Sequence, residues 1–330
     1  MLEEKILKTI REYNLIESGD TVIAAVSGGP DSMCMLDVLC DLKDDLKIKE
    51  IIVAHVNHML RKEAEEETKF VESYCKNKGI KFFAKYVDIK KIAKDNKTGE
   101  EETGRKERYD FFEKLAKKVN ANKIAIAHNY NDNAETILMH LMRGSGISGL
   151  IGIKPYRDGK YIRPIIKCSR EEIEEYCNQK KLNPKYDKSN LDNTYTRNRI
   201  RNKLIPYINK EFNINIVDAL NRLSYLALEE DEFMQNSVLK EYENIIINEE
   251  KNKILFDLKK FNKLHKYMKS NIILFIINKI SGSTKGIEKI NIEDIIKLCS
   301  NNIGNKYLTP KKGIKIFVKS GTASIEKVLK

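Results

Sequence analysis

Along the first 150 residues, short continuous apolar runs alternate with longer stretches that are apolar on one side only. Thr21 to Val26, Ile51-Ile52-Val53-Ala54, Lys81-Phe82-Phe83-Ala84 and Ile124-Ala125-Ile126-Ala127 are short and bounded by turn signals. Runs of that kind predict strands buried on both faces of a parallel sheet. Between them, Ser32 to Leu42, Lys62 to Asn77, Gly104 to Val119 and Asp132 to Met142 read as helices. A first helix, marked by Ile6, Ile10 and Tyr13, ends at the turn Ser18-Gly19-Asp20. Strand–helix alternation predicts an α/β fold built on a doubly wound, mainly parallel sheet. Ligands in such sheets sit beyond the carboxyl ends of the strands, so the segments just after Val26, Ala54 and Ala127 carry the chemistry.

The pattern then loosens. Gly144-Ser145-Gly146 marks a loop, and Tyr161 to Ile166 predicts a last strand. Ser169 with Glu172 forms a capping box for a helix ending near Lys181. Lys185 to Arg197 is polar and reads as a loop, while the chain beyond Pro206 reads as helical to about Asn248. The remainder mixes a strand-like Ile254-Leu255-Phe256, helices around 258–280 and 290–299, and a strand-like Gly313 to Val318. The expected organisation is a catalytic domain over 1–210, then a helical region with a small α+β domain over 211–330.

Composition narrows the class. A chain of 330 residues, 41% hydrophobic and 33% charged, can bury a real core. The longest apolar run, Ile272 to Ile277, falls well short of the roughly 18 residues of a spanning helix. The charged start Met1-Leu2-Glu3-Glu4-Lys5 lacks a signal-peptide core, so a soluble cytoplasmic protein is expected. Six scattered cysteines without C-x-x-C spacing, and no H-E-x-x-H, argue against a disulfide framework or a metal cage. Net charge is +12, and residues 151–210 hold 15 Lys and Arg against 7 Asp and Glu. Two thirds of the excess thus lies in under a fifth of the chain, which suits a polyanion partner. For the last 120 residues, with 20 cations against 15 anions, a lysine-solubilised surface is the simpler reading.

Ser27-Gly28-Gly29-Pro30-Asp31-Ser32 follows the first strand and opens a helix. Two glycines allow a sharp turn whose N–H groups converge on one anion, and the helix N-terminus adds its positive dipole end. There is no lysine, so the loop is not G-x-x-x-x-G-K-[ST], and G-x-G-x-x-G is absent too. A cradle without that lysine suggests grip on a pyrophosphate group rather than γ-phosphoryl transfer.

Ser27 to Ser32 resembles the signature of the PP-loop ATP pyrophosphatases, which cleave ATP between the α and β phosphates to adenylate a substrate. His55-Val56-Asn57-His58-Met59-Leu60-Arg61, Arg105-x-x-Arg108-Tyr109, Asn133-Ala134-Glu135-Thr136 and Arg143-Gly144-Ser145-Gly146 are similar to motifs of the tRNA(Ile)-lysidine synthetases. So is Arg197-Asn198-Arg199-Ile200-Arg201, preceded by Asp187-x-Ser189-Asn190. The likeness covers about 20–206; the segment from about 250 resembles that family's smaller C-terminal domain weakly, and the chain is short for the further domain of longer members.

That resemblance implies ATP and Mg²⁺, free L-lysine, and the anticodon loop and stem of tRNA(Ile). The Ser27 to Ser32 loop, with His55 and Arg197, would hold the nucleotide. Asp132, with Asp31 as the alternative, would hold the Mg²⁺. Asp31, Arg105, Arg108, His128 and Asp132 would serve the chemistry, while Glu101, Arg61, Asn198, Arg199 and Arg201 would meet the substrate. Where the family has paired His and paired Asp, this chain shows Asn129 and Asn131, with Asn133 for a common Gln. The general base is therefore left open, and so are the lysine site and the oligomeric state; a homodimer is neither demanded nor excluded.

The residues read alone leave alternatives standing. Histidines at a strand end, such as His55 and His58, are often structural. Glu101, Arg105 and Arg108 share a helical face and also fit a surface ion-pair ladder. Arg197, Arg199 and Arg201 would share one side of an extended segment but spread around a helix. Two other functions remain: a PP-loop tRNA thiolase, or a decayed, nucleotide-regulated RNA-binding protein.

Overall fold

In a computed structural model of the chain, the four apolar runs form neighbouring parallel strands. The structure describes residues 1–59, 64–185, 192–301, 306–311 and 313–328. After helix α1 (Leu2–Glu12) come β1 (Thr21–Ala25), α2 (Pro30–Asp41), β2 (Glu50–Asn57), α3 (Ala64–Lys78) and β3 (Lys81–Tyr86). Next are α4 (Ile89–Asn96), α5 (Glu100–Val119), β4 (Lys123–Ile126), α6 (Tyr130–Met142), β5 (Tyr156–Arg157), β6 (Tyr161–Ile162) and α7 (Arg170–Gln179).

The strand order is β3-β2-β1-β4-β6-β5, parallel except for the edge strand β5. Order reverses at β1, between β2 and β4, which opens a crevice at the carboxyl ends of β1 and β4. Val22, Ile23 and Ala24 are fully buried, as a strand with helices on both faces requires. One side packs on α1, α2 and α7 through Ile6, Met35, Leu39 and Ile173, the other on α5 through Phe112 and Leu115. The expected strand to Ile166 stops at Ile162, because Pro164 has no N–H to extend the ladder.

Beyond residue 192 the chain is helical: α8 (Thr196–Arg199), a π-helical turn over Ile200–Leu204, α9 (Ile205–Phe212) and α10 (Ile216–Ile245). The described chain divides into two compact units, Met1–Leu228 and Glu229–Lys330, a division inside α10 and later than the expected 210. The second unit has a five-stranded antiparallel sheet in the order β7-β8-β11-β10-β9. Its strands are β7 (Ile246–Glu250), β8 (Lys253–Asp257), β9 (Lys306–Lys311), β10 (Ile314–Lys319) and β11 (Thr322–Lys327), with helices α11 (Leu258–Lys263), α12 (Lys266–Ser281) and α13 (Lys289–Asn301). Ile254, Phe256, Ile316 and Ile325 pack there on Ile272, Ile276 and Ile295. No helix among the described residues is long and apolar enough to cross a membrane.

Candidate functional site

The loop between β1 and α2 has the conformation its glycines predict. Gly28 sits at φ +95°, a left-handed geometry costly for any L residue, and a Cβ there would touch Val71. Gly29 is the N-cap of α2 and Pro30 its first residue, where a missing N–H costs nothing. The N–H groups of Ser27 and Gly28 converge on Ser32 Oγ, each at 3.2 Å, and that hydroxyl donates to the Gly29 carbonyl at 3.0 Å. Ser27 Oγ lies 3.2 Å from Ser32 Oγ. Amide hydrogens turned onto one oxygen make the concavity that binds phosphate elsewhere.

Across the crevice, the tip after β4 supplies the opposing wall. Asn129 caps α6 in a capping box: its Oδ1 accepts from the Asp132 N–H at 2.9 Å, and Asp132 Oδ2 accepts from the Asn129 N–H at 3.2 Å. Asn129 Nδ2 reaches the loop and donates to Asp31 Oδ1 at 2.8 Å. Burial first, and the charge of Asp132 second, push the Asp31 carboxyl up to about 6, against the pull of Asn129, Arg170 and Arg201. Two carboxylates that repel each other in a half-buried space fit a divalent cation. Among the described residues no three His, Cys, Asp or Glu form a metal group, so such a cation would complete its shell with phosphate and water oxygens.

Next to Asp132 lies a charge cluster. Glu135 is 1% exposed. Arg201 grips it with two bonds, Nε to Oε1 at 2.6 Å and Nη2 to Oε2 at 3.0 Å, and also reaches Asp132 Oδ1 at 3.2 Å. Arg197 Nε pairs with Glu135 Oε2 at 3.2 Å, its Nη2 donates to Thr136 Oγ1 at 2.7 Å, and Arg170 approaches to 3.7 Å. Burial opposes the Arg201 cation, yet Glu135 and Asp132 outweigh it and raise its pKa. Because the segment is helical, Arg197 and Arg201, four apart, converge on Glu135, whereas Arg199 is exposed and donates to Thr196 Oγ1 at 3.1 Å. The single face offered by an extended segment is not formed. Asn198 Nδ2 donates to the Asp192 carbonyl at 2.7 Å.

His55 and His128 are held by hydrogen bonds within the protein, whereas the buried Nδ1 of His58 has no hydrogen-bond partner among the described residues. His55 is buried with both ring nitrogens engaged, Nδ1 with the Val26 carbonyl at 2.8 Å and Nε2 with Thr68 Oγ1 at 2.9 Å. It anchors the root of the loop and has no nitrogen left for a nucleotide, so direct nucleotide contact is corrected to support from behind. His128 Nδ1 accepts from Arg163 Nε at 3.2 Å. Burial, opposed by Asp132 and reinforced by Arg163, Arg197 and Arg108, pushes it down to about 3. The Nδ1 of His128 is thus engaged by Arg163, and the general base that the sequence left open is not identified by this contact. Burial, then the Arg108 charge, pushes His58 down to about 4.

Arg105 and Arg108 lie on α5, with Glu101 exposed in its first turn. The Arg108 charge helps to lower the pKa of both His58 and His128. Arg105 lies 5.0 Å from the centre of the Tyr109 ring, and Arg157 lies 5.1 and 4.6 Å from those of Tyr109 and Tyr161. Arg163, buried beside them, also donates to the Lys154 carbonyl. Arg61 and the Asp187-x-Ser189-Asn190 stretch fall outside the described residues.

Sequence reasoning assigned no part to Glu135, Arg163 or Arg170. Glu135 carried a signal in its spacing: it follows Asp132 by three, so both face one side of α6. Arg163 and Arg170 had none, since their partners are distant in the chain. The asparagines that depart from the family pattern have posts of their own: Asn129 bridges the α6 cap and Asp31, and Asn131 Oδ1 accepts from the Arg170 N–H at 3.0 Å.

Residues 1–208 match the PP-loop domain family. The chain is 43% identical over 317 residues to a tRNA(Ile)-lysidine synthase of Clostridium tetani, covering 93% of this chain and 65% of that protein. It is 45% identical to one of Clostridium perfringens, over 92% of this chain and 65% of that one. With that of Clostridioides difficile the identity is 40%, over 97% and 69%. The chain therefore spans about two thirds of the length of these curated relatives. Among solved structures, a U34-tRNA thiolase, NcsA from Methanococcus maripaludis with its [4Fe-4S] cluster, shares the fold at a TM-score of 0.54 and 17% identity, covering 68% of this chain and 78% of that one.

Proposed function

Since the chain belongs to the PP-loop domain family and, within it, to the tRNA(Ile)-lysidine synthases, we propose that it ligates lysine to a cytidine of tRNA(Ile) at the expense of ATP. The observation that carries this reading is the facing of two tips, the Ser27 to Ser32 loop with its converging amides and the Asn129 to Asp132 turn with its carboxylate, joined by the Asn129–Asp31 bond. Loop bases of tRNA are unstacked and reachable, as RNA recognition requires. The cytosine 2-carbonyl oxygen attacks the α-phosphorus of ATP, and pyrophosphate leaves into the converging amides of the loop. Asp31 and Asp132 would hold Mg²⁺, which supplies neutralisation of phosphate charge. The deprotonated ε-amine of free lysine then attacks the same ring carbon and displaces AMP, giving lysidine.

The arginines divide the remaining work. Arg197 and Arg201, held by Glu135, stand beside Asp132 and would meet phosphate charge. Arg105 and Arg108 would face the cytidine from α5, with Glu101, Arg61, Asn198 and Arg199 toward the RNA. The second unit would grip the stem through its backbone, so binding would weaken with salt. A cytoplasmic setting accords with this substrate.

A sulfur-transfer reading has less to stand on. All six cysteines are free thiols; five are buried, and burial raises every one, Cys168 and Cys177 to about 12. Thiols held in that form are poor nucleophiles. The test is mass analysis of the nucleoside formed from tRNA(Ile), ATP and lysine, with each omitted in turn. A lysine-sized increment with lysine-dependent AMP release is expected. A sulfur increment, or nucleotide binding without turnover, would overturn the proposal.

A further inference from the structure

The first turn of α6 has two working sides. One holds Asn129 and Asp132 at the nucleotide loop; the other, through Tyr130 and Asn133, meets α10 and the segment 151–153. Asn133 Oδ1 accepts from the Ile153 N–H at 2.6 Å, and its Nδ2 donates to Asn221 Oδ1 at 2.8 Å and to Ser224 Oγ at 3.1 Å. Asn221 Nδ2 in turn donates to the carbonyls of Tyr130 at 3.0 Å and Val217 at 2.9 Å, and Ser224 Oγ donates to the Ile151 carbonyl at 2.7 Å. Backbone groups at both ends set the sense of each amide, so the chain of bonds runs in one direction only: Ile153 to Asn133 to Asn221 to Tyr130. The approach is close enough to demand glycine between Ile151 and Ile153. Gly152 has φ +65°, and a Cβ on it would come within 2.3 Å of Asn133 Oδ1 and 2.8 Å of Ile137.

Buried amides that satisfy every partner cost little and rigidify the elements they join, whereas a partly satisfied set is expensive. This set ends on the Tyr130 carbonyl, one residue from the Asn129 amide that holds Asp31, and passes through Asn133, one residue from Asp132. We propose that Asn133, Asn221 and Ser224 are positioning residues that fix the first turn of α6, and thereby the register of Asn129 and Asp132 against Asp31. None of the three side chains hydrogen-bonds to those of Asp31, Asn129 or Asp132; their partners are Ile153, Ile151, Tyr130, Val217 and one another. The inference rests on the proposed lysidine-forming function.

The test compares the full chain with Asn221→Ala, Ser224→Ala and Ser224→Thr in pyrophosphate release with tRNA(Ile), lysine, ATP and Mg²⁺. A displacement of about 1 Å at a reacting centre costs about 10²-fold. A kcat loss of about 10- to 100-fold is therefore expected for both alanine variants, with the KM for ATP moved less than about threefold and the Mg²⁺ needed for half-maximal rate raised. Ser224→Thr, which keeps the hydroxyl, should restore most of the rate. Asn133→Ala combined with Asn221→Ala should lose no more than either alone, because both break one chain of bonds. A merely structural role would lower the melting temperature and leave kcat intact below it. Folded alanine variants, checked by circular dichroism at assay temperature, that match the parent in kcat and Mg²⁺ dependence would overturn the inference alone. A parent chain that releases no pyrophosphate would overturn the functional reading and this inference with it.

Discussion

Buried polarity separates the two units. In Met1–Leu228 the buried set includes Asp37, His55, Asn129, Asp132, Glu135 and Arg163; in Glu229–Lys330, among the described residues, it reduces to Ser324. The first unit buries charge around the carboxyl end of β4, at Asp132 and Glu135, and also at Asp20, Asp37 and Lys123. The second keeps Ile314, Ile316 and Val318 inside and sends Lys315 and Lys319 outward, as an antiparallel sheet covered on one face does. Desolvating a charge is expensive unless it is paired. A protein that accepts that cost in one unit and avoids it in the other shows where electrostatic work is done.

The sharpest way to break this contrast is at the loop. Ser32→Ala and Asp31→Ala should each lower pyrophosphate release by about 10³-fold or more while tRNA affinity stays nearly unchanged. Equal turnover in both variants would remove the loop from the reaction. Next, Glu135→Gln leaves Arg197 without its buried counter-charge and Arg201 with Asp132 alone, an expected loss of about 3–5 kcal/mol in the first unit's stability. The urea midpoint reads this directly, and an unmoved midpoint would show the arginines to be solvated instead.

Asp31 offers a smaller effect of opposite sign. Its folded-state pKa of about 6 stands above the ordinary 3.8, so ionisation costs stability in the ligand-free protein. That cost is absent below about pH 4, grows between 4 and 6, and is complete above. Asp31→Asn should therefore stabilise by about 1–3 kcal/mol at pH 8, with the gain vanishing at pH 4, while the reaction is lost. A gain that persists in acid would assign the effect to something other than charge. Smallest is the second unit: Lys315→Ala with Lys319→Ala should weaken tRNA binding a few-fold and flatten its salt dependence by about one to two counterions, leaving kcat at saturating tRNA untouched.

Much of this was legible in the residues. Thr21 to Val26 is a short apolar run followed by two glycines, and the strand, the turn and the helix opening at Pro30 arise from local sterics alone. The Ser169–Glu172 capping box is equally local, and it forms with bonds of 3.2 and 2.7 Å. The hidden part depends on distance along the chain. Glu135 meets arginines more than 60 residues later, and Asn133 meets Asn221 across 88 residues. The state of His55 and His128 is set by burial and by Thr68 and Arg163, which no spacing rule around a histidine reveals. The Arg197 to Arg201 run offered two geometries, and packing against α6 selected the helical one.

The π-helical turn over Ile200–Leu204 carries a consequence for descent by insertion and deletion. A widened turn is one residue more than an ordinary helix needs, and each residue rotates the rest of the helix by about 100°. Loss of a single codon between Arg197 and Arg201 would tighten the coil into a more regular helix, yet change the four-residue spacing by which both arginines meet Glu135. Length in that short stretch should therefore tolerate less drift than composition does, a constraint that resequencing of viable deletion libraries would expose.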